Sequence, residues 1–247
     1  MNLRNCCACG LMVASYLLGQ SATGSIQGSV RGDDGTPLTG VQIQYRRLTE
    51  SVYPGHNQVL PAPGEAVADS SVTSDSSGNF TAPNLPVGSY LLCAEAASLP
   101  YLNPCKWSAP LQLTVAANAT AVQPLVLRKG VFLKVRVNDP LSLLPSTPDS
   151  PLGGGPLVIG VMFGTGAFLG AANTQIDSTG RDYQMAIPAG VPLKLWVASS
   201  RVTLVDGTGT PVISTGGAAT VPFQAAAGVD QLFTFTPTPL AVSAQAH

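Results

Sequence analysis

The sequence predicts an all-β protein: two tandem β-sandwich domains behind an N-terminal signal peptide. Three observations carry this reading. Apolar residues alternate with period two in many short runs, as in Val131, Leu133, Val135 and Val137, and such a run buries one side-chain face of an extended strand. The 247 residues include 26 Gly and 21 Pro, which favours turns over long helices. No 3.6-residue apolar period persists for about twelve residues free of Gly or Pro, the length of an ordinary helix.

Residues 1–22 read as an export signal. Arg4 is their only charge, the apolar stretch runs from Cys6 to Leu18, and Gly19-Gln20-Ser21-Ala22 closes it with small and polar residues. That stretch is about 13 residues, short of the roughly 20 that span a bilayer, so cleavage after Ser21 or Ala22 is expected rather than a retained anchor. The Cys6/Cys9 pair spells C-x-x-C inside a segment that export discards.

The strand candidates follow in order at 26–30, 41–45, 67–74, 79–85, 89–95, 111–115 and 121–127. A second set runs at 131–137, 157–163, 183–187, 193–198, 202–205 and 232–236. An internal repeat divides the two sets. Asp75 and Asp177, Gly78 and Gly180, Pro86 and Pro188, and Gly88 and Gly190 each stand 102 positions apart. Asp-Ser-x-Gly is hairpin chemistry, the Asp capping local amides and the Gly taking positive φ. The repeat predicts domains at 23–127 and 128–237, joined at Arg128-Lys129-Gly130, with a tail at 238–247. It also sets Leu91 and Cys93 in the places of Leu193 and Leu195, so Cys93 is expected to face the core.

Export leaves Cys93 and Cys105 in an oxidising compartment, and two cysteines suffice for one disulfide. The intervening 94–104 contains Pro100, Asn103 and Pro104 and reads as a loop whose ends return together. A thiol or metal pair is the rival, but no His stands nearby and the spacing fits no zinc pattern.

The first domain resembles the carboxypeptidase regulatory-like domain, a transthyretin-like β-sandwich. The residues that carry this are Gly28-Ser29-Val30, then 34–43 from Asp34-Gly35-Thr36-Pro37 through Gly40-Val41-Gln42-Ile43. Thr73-Ser74-Asp75-Ser76-Ser77-Gly78-Asn79-Phe80 and Leu85-Pro86-Val87-Gly88-Ser89-Tyr90-Leu91-Leu92 complete the set. The resemblance implies a seven- or eight-stranded sandwich of a kind found in exported bacterial proteins, without catalytic residues of its own. The chain departs from the pattern by an insertion at 46–66 and by the Cys93/Cys105 loop, and the second domain keeps only the hairpin and x-Pro-x-Gly elements.

Chemistry is sparse. Only 10% of residues are charged and the net charge is −1, against roughly 25% charged in ordinary domains, so the basic footprint of a nucleic-acid binder is missing. The two histidines are His56 and His247, which disfavours a His triad or a multi-histidine zinc site. Asp33, Asp34, Asp149 and Asp206 border turn residues, and Asp230 stands two residues past Gly228. No enzyme activity, cofactor or metal is expected. The tentative binding residues are Tyr53, His56, Tyr101 and Trp107, in the insertion or the disulfide loop, where aromatic rings can stack on sugars. The rival is that Tyr101 and Trp107 cover the disulfide and the end of the core. Trp196 is either an inter-domain contact or an exposed platform. The expected function is a secreted, periplasmic or cell-surface structural or interaction module with no transmembrane segment in the mature chain. Its partner would be an envelope protein or polysaccharide, and the alternative is a carbohydrate-binding module.

Overall fold

The computed structural model describes residues 22–48, 70–145, 156–164, 166–213 and 217–239. Residues 1–21 of the leader, 240–247 of the tail and 49–66 of the insertion, with Tyr53 and His56, lie outside the described residues. The described chain is all-β and forms two sandwiches.

The first contains β1 (Thr23–Gly32), β2 (Gln42–Arg47), β3 (Ser70–Thr73), β4 (Asn79–Pro86), β5 (Gly88–Glu95), β6 (Leu111–Val115), β7 (Thr120–Val122) and β8 (Leu125–Leu127). A single helical turn, α1 (Pro104–Trp107), interrupts the path from β5 to β6. One sheet has the order β4-β1-β7, with β8 also on β1, and the other β3-β2-β5-β6. Alternating apolar residues meet between them: Ile26 and Val30 from β1, Ile43 from β2, Phe80 and Ala82 from β4, Tyr90, Leu92 and Ala94 from β5. The run expected at 121–127 is two strands, because Pro124 lacks an N–H and breaks the parallel ladder on β1.

The second contains β9 (Val131–Asn138), β10 (Leu157–Phe163), β11 (Ala167–Gly170), β12 (Ala172–Asp177), β13 (Gly180–Ile187), β14 (Pro192–Ser199), β15 (Val202–Asp206), β16 (Pro211–Ile213), β17 (Ala218–Gln224) and β18 (Gln231–Pro239). Its sheets run β11-β10-β14-β17 and β12-β13-β9-β18-β15-β16. The two sandwiches share a wiring plan. β1 is antiparallel to β4 and parallel to β7 and β8, and β9 is antiparallel to β13 and parallel to β18. The second sandwich adds β12 at one edge and the β15–β16 hairpin at the other.

Two sequence expectations are corrected by this geometry. The Asp177–Gly180 turn closes a hairpin between β12 and β13, whereas the Asp75–Gly78 turn does not close one. It carries the chain from β3 in one sheet to β4 in the other. The turn chemistry is nonetheless shared: Asp75 Oδ1 accepts from Ser77 N and Asn79 N, both at 2.8 Å, and Asp177 Oδ1 from Thr179 N at 2.8 Å. Cys93, expected to face the core, faces outward. Tyr90, Leu92 and Ala94 take the inward places of Leu193, Leu195 and Val197, one residue off the 102 spacing, and with a side-chain period of two that single step exchanges the faces.

Candidate functional site

The residues that join the sandwiches are built from the end of β5 onward. Past Glu95 the chain folds under the first sandwich, and Tyr101 is buried there at 7% exposure. It forms a bridge with Lys129, while Leu102 N donates to Arg128 O at 2.9 Å and Gly130 N to Pro100 O at 2.6 Å. Burial, then the charges of Asp34 and Asp33, push the Tyr101 hydroxyl upward from its ordinary pKa.

Asn103 starts α1 because an extended residue with a short acceptor satisfies a free amide of the first turn. Its Oδ1 accepts from Cys105 N at 2.9 Å and its Nδ2 donates to Glu95 Oε2 at 2.7 Å. Lys106 Nζ pairs with the same carboxylate oxygen at 2.8 Å. Cys105, the second residue of α1, is disulfide-bonded to Cys93 on the outer face of β5, with Cα atoms 5.5 Å apart.

One residue past Lys106, Trp107 leaves the first sandwich and packs against the core of the second. Its indole Nε1 donates to Ala186 O on β13 at 3.0 Å. Its ring centroid is 5.1 Å from that of Phe163 at the end of β10, with planes inclined 40°. Gln184 Nε2 reaches Ala97 O at 3.4 Å from the other side. Clefts flank the indole. One of about 410 Å3 is bordered by Glu95, Lys106, Trp107, Phe132, Phe168 and Gln184. Another of about 300 Å3 is bordered by Pro104, Trp107, Val126, Phe163, Pro188 and Val191. Domain interfaces are where ligand pockets of this size recur.

The sequence-predicted residues are therefore dispersed. Cys93 and Cys105 are joined; Tyr101 is in the first core; Trp107 is in the joint. Trp196 stands on the outer face of β14 with its ring edge-on to Phe168, centroids 4.9 Å apart. Phe163, Gln184 and Ala186 complete the joint from the second sandwich and carry no local sequence signal. The Glu95 and Lys106 pair is the part of the missed set that a search for opposite charges flanking the loop would have found.

Away from the joint, Arg136 on the outer face of β9 binds Asp177 through both terminal nitrogens at 2.9 Å and Asp182 at 3.2 Å. Among the described residues no group of three metal-ligating side chains occurs, and no helix is long and apolar enough to cross a membrane.

No family model matches the chain, and no curated protein matches it. Solved structures similar to it include a streptococcal ancillary pilin, 14% identical with a TM-score of 0.40, covering 89% of this chain and 63% of that one. The Bacillus anthracis TIE protein is 14% identical with a TM-score of 0.33, covering 88% of this chain and 34% of that one. Shaft pilin SpaA from Lactobacillus rhamnosus GG is 11% identical with a TM-score of 0.34, covering 89% and 100%. The chain thus spans about a third of the TIE protein and under two thirds of the ancillary pilin. At such identities and TM-scores these likenesses carry no argument about function.

Proposed function

We propose that the chain is an exported, non-catalytic pair of β-sandwiches that serves as a structural or interaction module at the cell envelope, residues 1–22 being removed as a signal peptide. The domains in this reading are 23–127, a carboxypeptidase regulatory-like sandwich, and 128–237, a divergent copy, with a tail at 238–247. One observation carries it: an indole from the first sandwich is seated in the second and tethered by the Cys93–Cys105 bond. A scaffold that presents surfaces to a partner needs its modules held in fixed relation, and a disulfide used for that purpose persists in an oxidising compartment. Sugar stacking has weaker support, since Tyr101 is buried and one side of Trp107 is occupied by Phe163.

The test is fractionation of the native host expressing the C-terminally tagged full chain. The expected result is recovery in the envelope or medium, with a new N-terminus following Ser21 or Ala22 and residues 93 and 105 linked in non-reducing mass mapping. Recovery in the cytoplasm with Met1 retained and Cys93 and Cys105 unlinked overturns the proposal. Crosslinking in the envelope fraction then identifies the protein or polysaccharide bound.

A further inference from the structure

We propose that the Cys93–Cys105 pair is a site of thiol–disulfide exchange whose redox state sets whether the two sandwiches are locked together. The inference rests on the envelope reading only for its resting, oxidised state. It starts from the side of β5 on which Cys93 lies. Tyr90, Leu92 and Ala94 fill the first core, and Cys93 alternates outward between them. The bond therefore does not staple the core of its own domain. Both sulfurs' residues are half-buried, and both border an outer groove of about 250 Å3 with Gln44, Tyr45, Arg46 and Pro110. A small dithiol or an oxidoreductase loop has an approach to them there.

What the bond holds is more telling than where it lies. α1 is a single turn with no buried residue, and a turn that short has no stability of its own in water. Besides the disulfide, its described ties to the first sandwich are the Asn103 cap, whose Nδ2 also donates to Glu95, and the half-exposed Lys106–Glu95 pair, and such surface pairs contribute little. Beyond them α1 is held by the Trp107 contacts themselves. The one residue that α1 delivers elsewhere is Trp107. Opening the bond thus loosens the segment that seats the indole on Phe163 and Ala186, while the first core keeps all its contacts.

The exchange balances simply. A thiolate of the dithiol attacks one sulfur, forming a mixed disulfide and releasing the other cysteine as thiolate, which takes up a proton. The second thiol of the reductant resolves the mixed disulfide. The protein gains two thiols, and the dithiol leaves as its own disulfide, having supplied two electrons and two protons.

The experiment uses the full chain with Cys6, Cys7 and Cys9 replaced by serine, so that one cysteine pair reacts, and with Trp196→Phe, so that Trp107 is the sole indole. Dithiothreitol is the dithiol. On reduction, confirmed by thiol mapping, the Trp107 emission is expected to shift to the red. The rotational correlation times of the two sandwiches, matched in the oxidised chain by 15N relaxation, are expected to separate, and reoxidation restores both readouts. Trp107→Ala with the disulfide intact is expected to separate the correlation times without reductant. Unchanged emission and matched tumbling with both thiols free overturn the proposal. So does loss of the first sandwich's dispersed amide signals on reduction, since the bond would then be holding the domain itself. Neither outcome depends on where the chain resides, so the envelope reading stands or falls separately.

Discussion

At Trp107 one side chain supplies both area and direction. The ring packs on Phe163 and the second core, and the indole N–H fixes its orientation on Ala186 O at 3.0 Å. The two contributions are separable. Trp107→Phe retains most of the ring contact and loses the hydrogen bond, and should weaken inter-domain coupling by about 1 kcal/mol. Trp107→Ala removes both and should cost roughly 3 kcal/mol, read as the change in second-domain stability by denaturant titration with the first sandwich still folded. The repeat glycines are the other single residues on which much depends. Gly78 and Gly180 have φ of +78° and +152°, and a Cβ there would lie 2.5 Å from Val30 O and 2.0 Å from Val137 O. Those carbonyls belong to β1 and β9, the equivalent strands of the two sandwiches. Alanine at either position should destabilise its own domain by at least about 1–3 kcal/mol, seen as a lower midpoint for that domain alone. Here the sequence was informative, because Asp-Ser-x-Gly names its backbone requirement locally.

Elements are legible to the degree that their own residues decide them. β6 and β10 have the bounds that alternation predicts, and β9 extends one residue further, since a half-buried strand writes its period into the chain. β11 and β17 were not among the expected strands: β11 holds two exposed residues and a terminal Gly170, and β17, although Ala219, Val221 and Phe223 alternate inward, is interrupted by Pro222. Both are sheet edges, where a Pro or Gly that would disrupt a central strand is tolerated. The missed turn of β3 into β4 has another cause: identical Asx chemistry serves a hairpin and a corner between sheets. Electrostatics at the element scale center on the β12–β13 hairpin. Arg136 first, then the hydroxyl and amide of Thr179, hold the Asp177 carboxyl far below its ordinary value of 3.8. A carboxyl depressed by folding stabilises the native state above its unfolded pKa and loses that contribution as pH falls toward the folded one. Asp206 and Asp230 are lowered as well, by Thr208 and by Lys134 respectively. The second sandwich should therefore lose stability below about pH 4. Arg136→Gln should flatten that acid limb in melts followed from about pH 5 to pH 2.5, and an unchanged slope would remove the hairpin ion pair from the account.

For the molecule as a whole, the candidate site escaped sequence reading because it is made of partners far apart in the chain. Trp107 and Ala186 are separated by 79 residues, and nothing near Phe163 announces that an indole from another domain will lie on it. Composition marked Trp107 as notable and offered two roles, stacking on sugar or covering the disulfide and the end of the core; neither reading placed its ring against the second sandwich. The covalent link between the domains makes a sharper case. At Gly130 an added Cβ would sit 2.3 Å from Ile187 O and 2.8 Å from Leu102 Cδ2, between the backbone of β13 and the loop that leads to α1. Backbone on one side cannot yield, so the substituent must push Leu102 and the loop away and draw Trp107 off its seat. Gly130→Val should act chiefly on coupling, since the side chain it displaces, Leu102, belongs to neither core cluster. Calorimetry is expected to show the unfolding transitions of the two domains further apart than in the parent, with each domain's amide dispersion preserved. A core change such as Leu133→Ala should instead lower the second transition by about 2–5 kcal/mol and leave the first domain's midpoint nearly in place. If Gly130→Val behaved like Leu133→Ala, the joint would be part of the second core's cooperative unit rather than a separable lock. The exchange proposed at Cys93 and Cys105 would then have no independent joint on which to act.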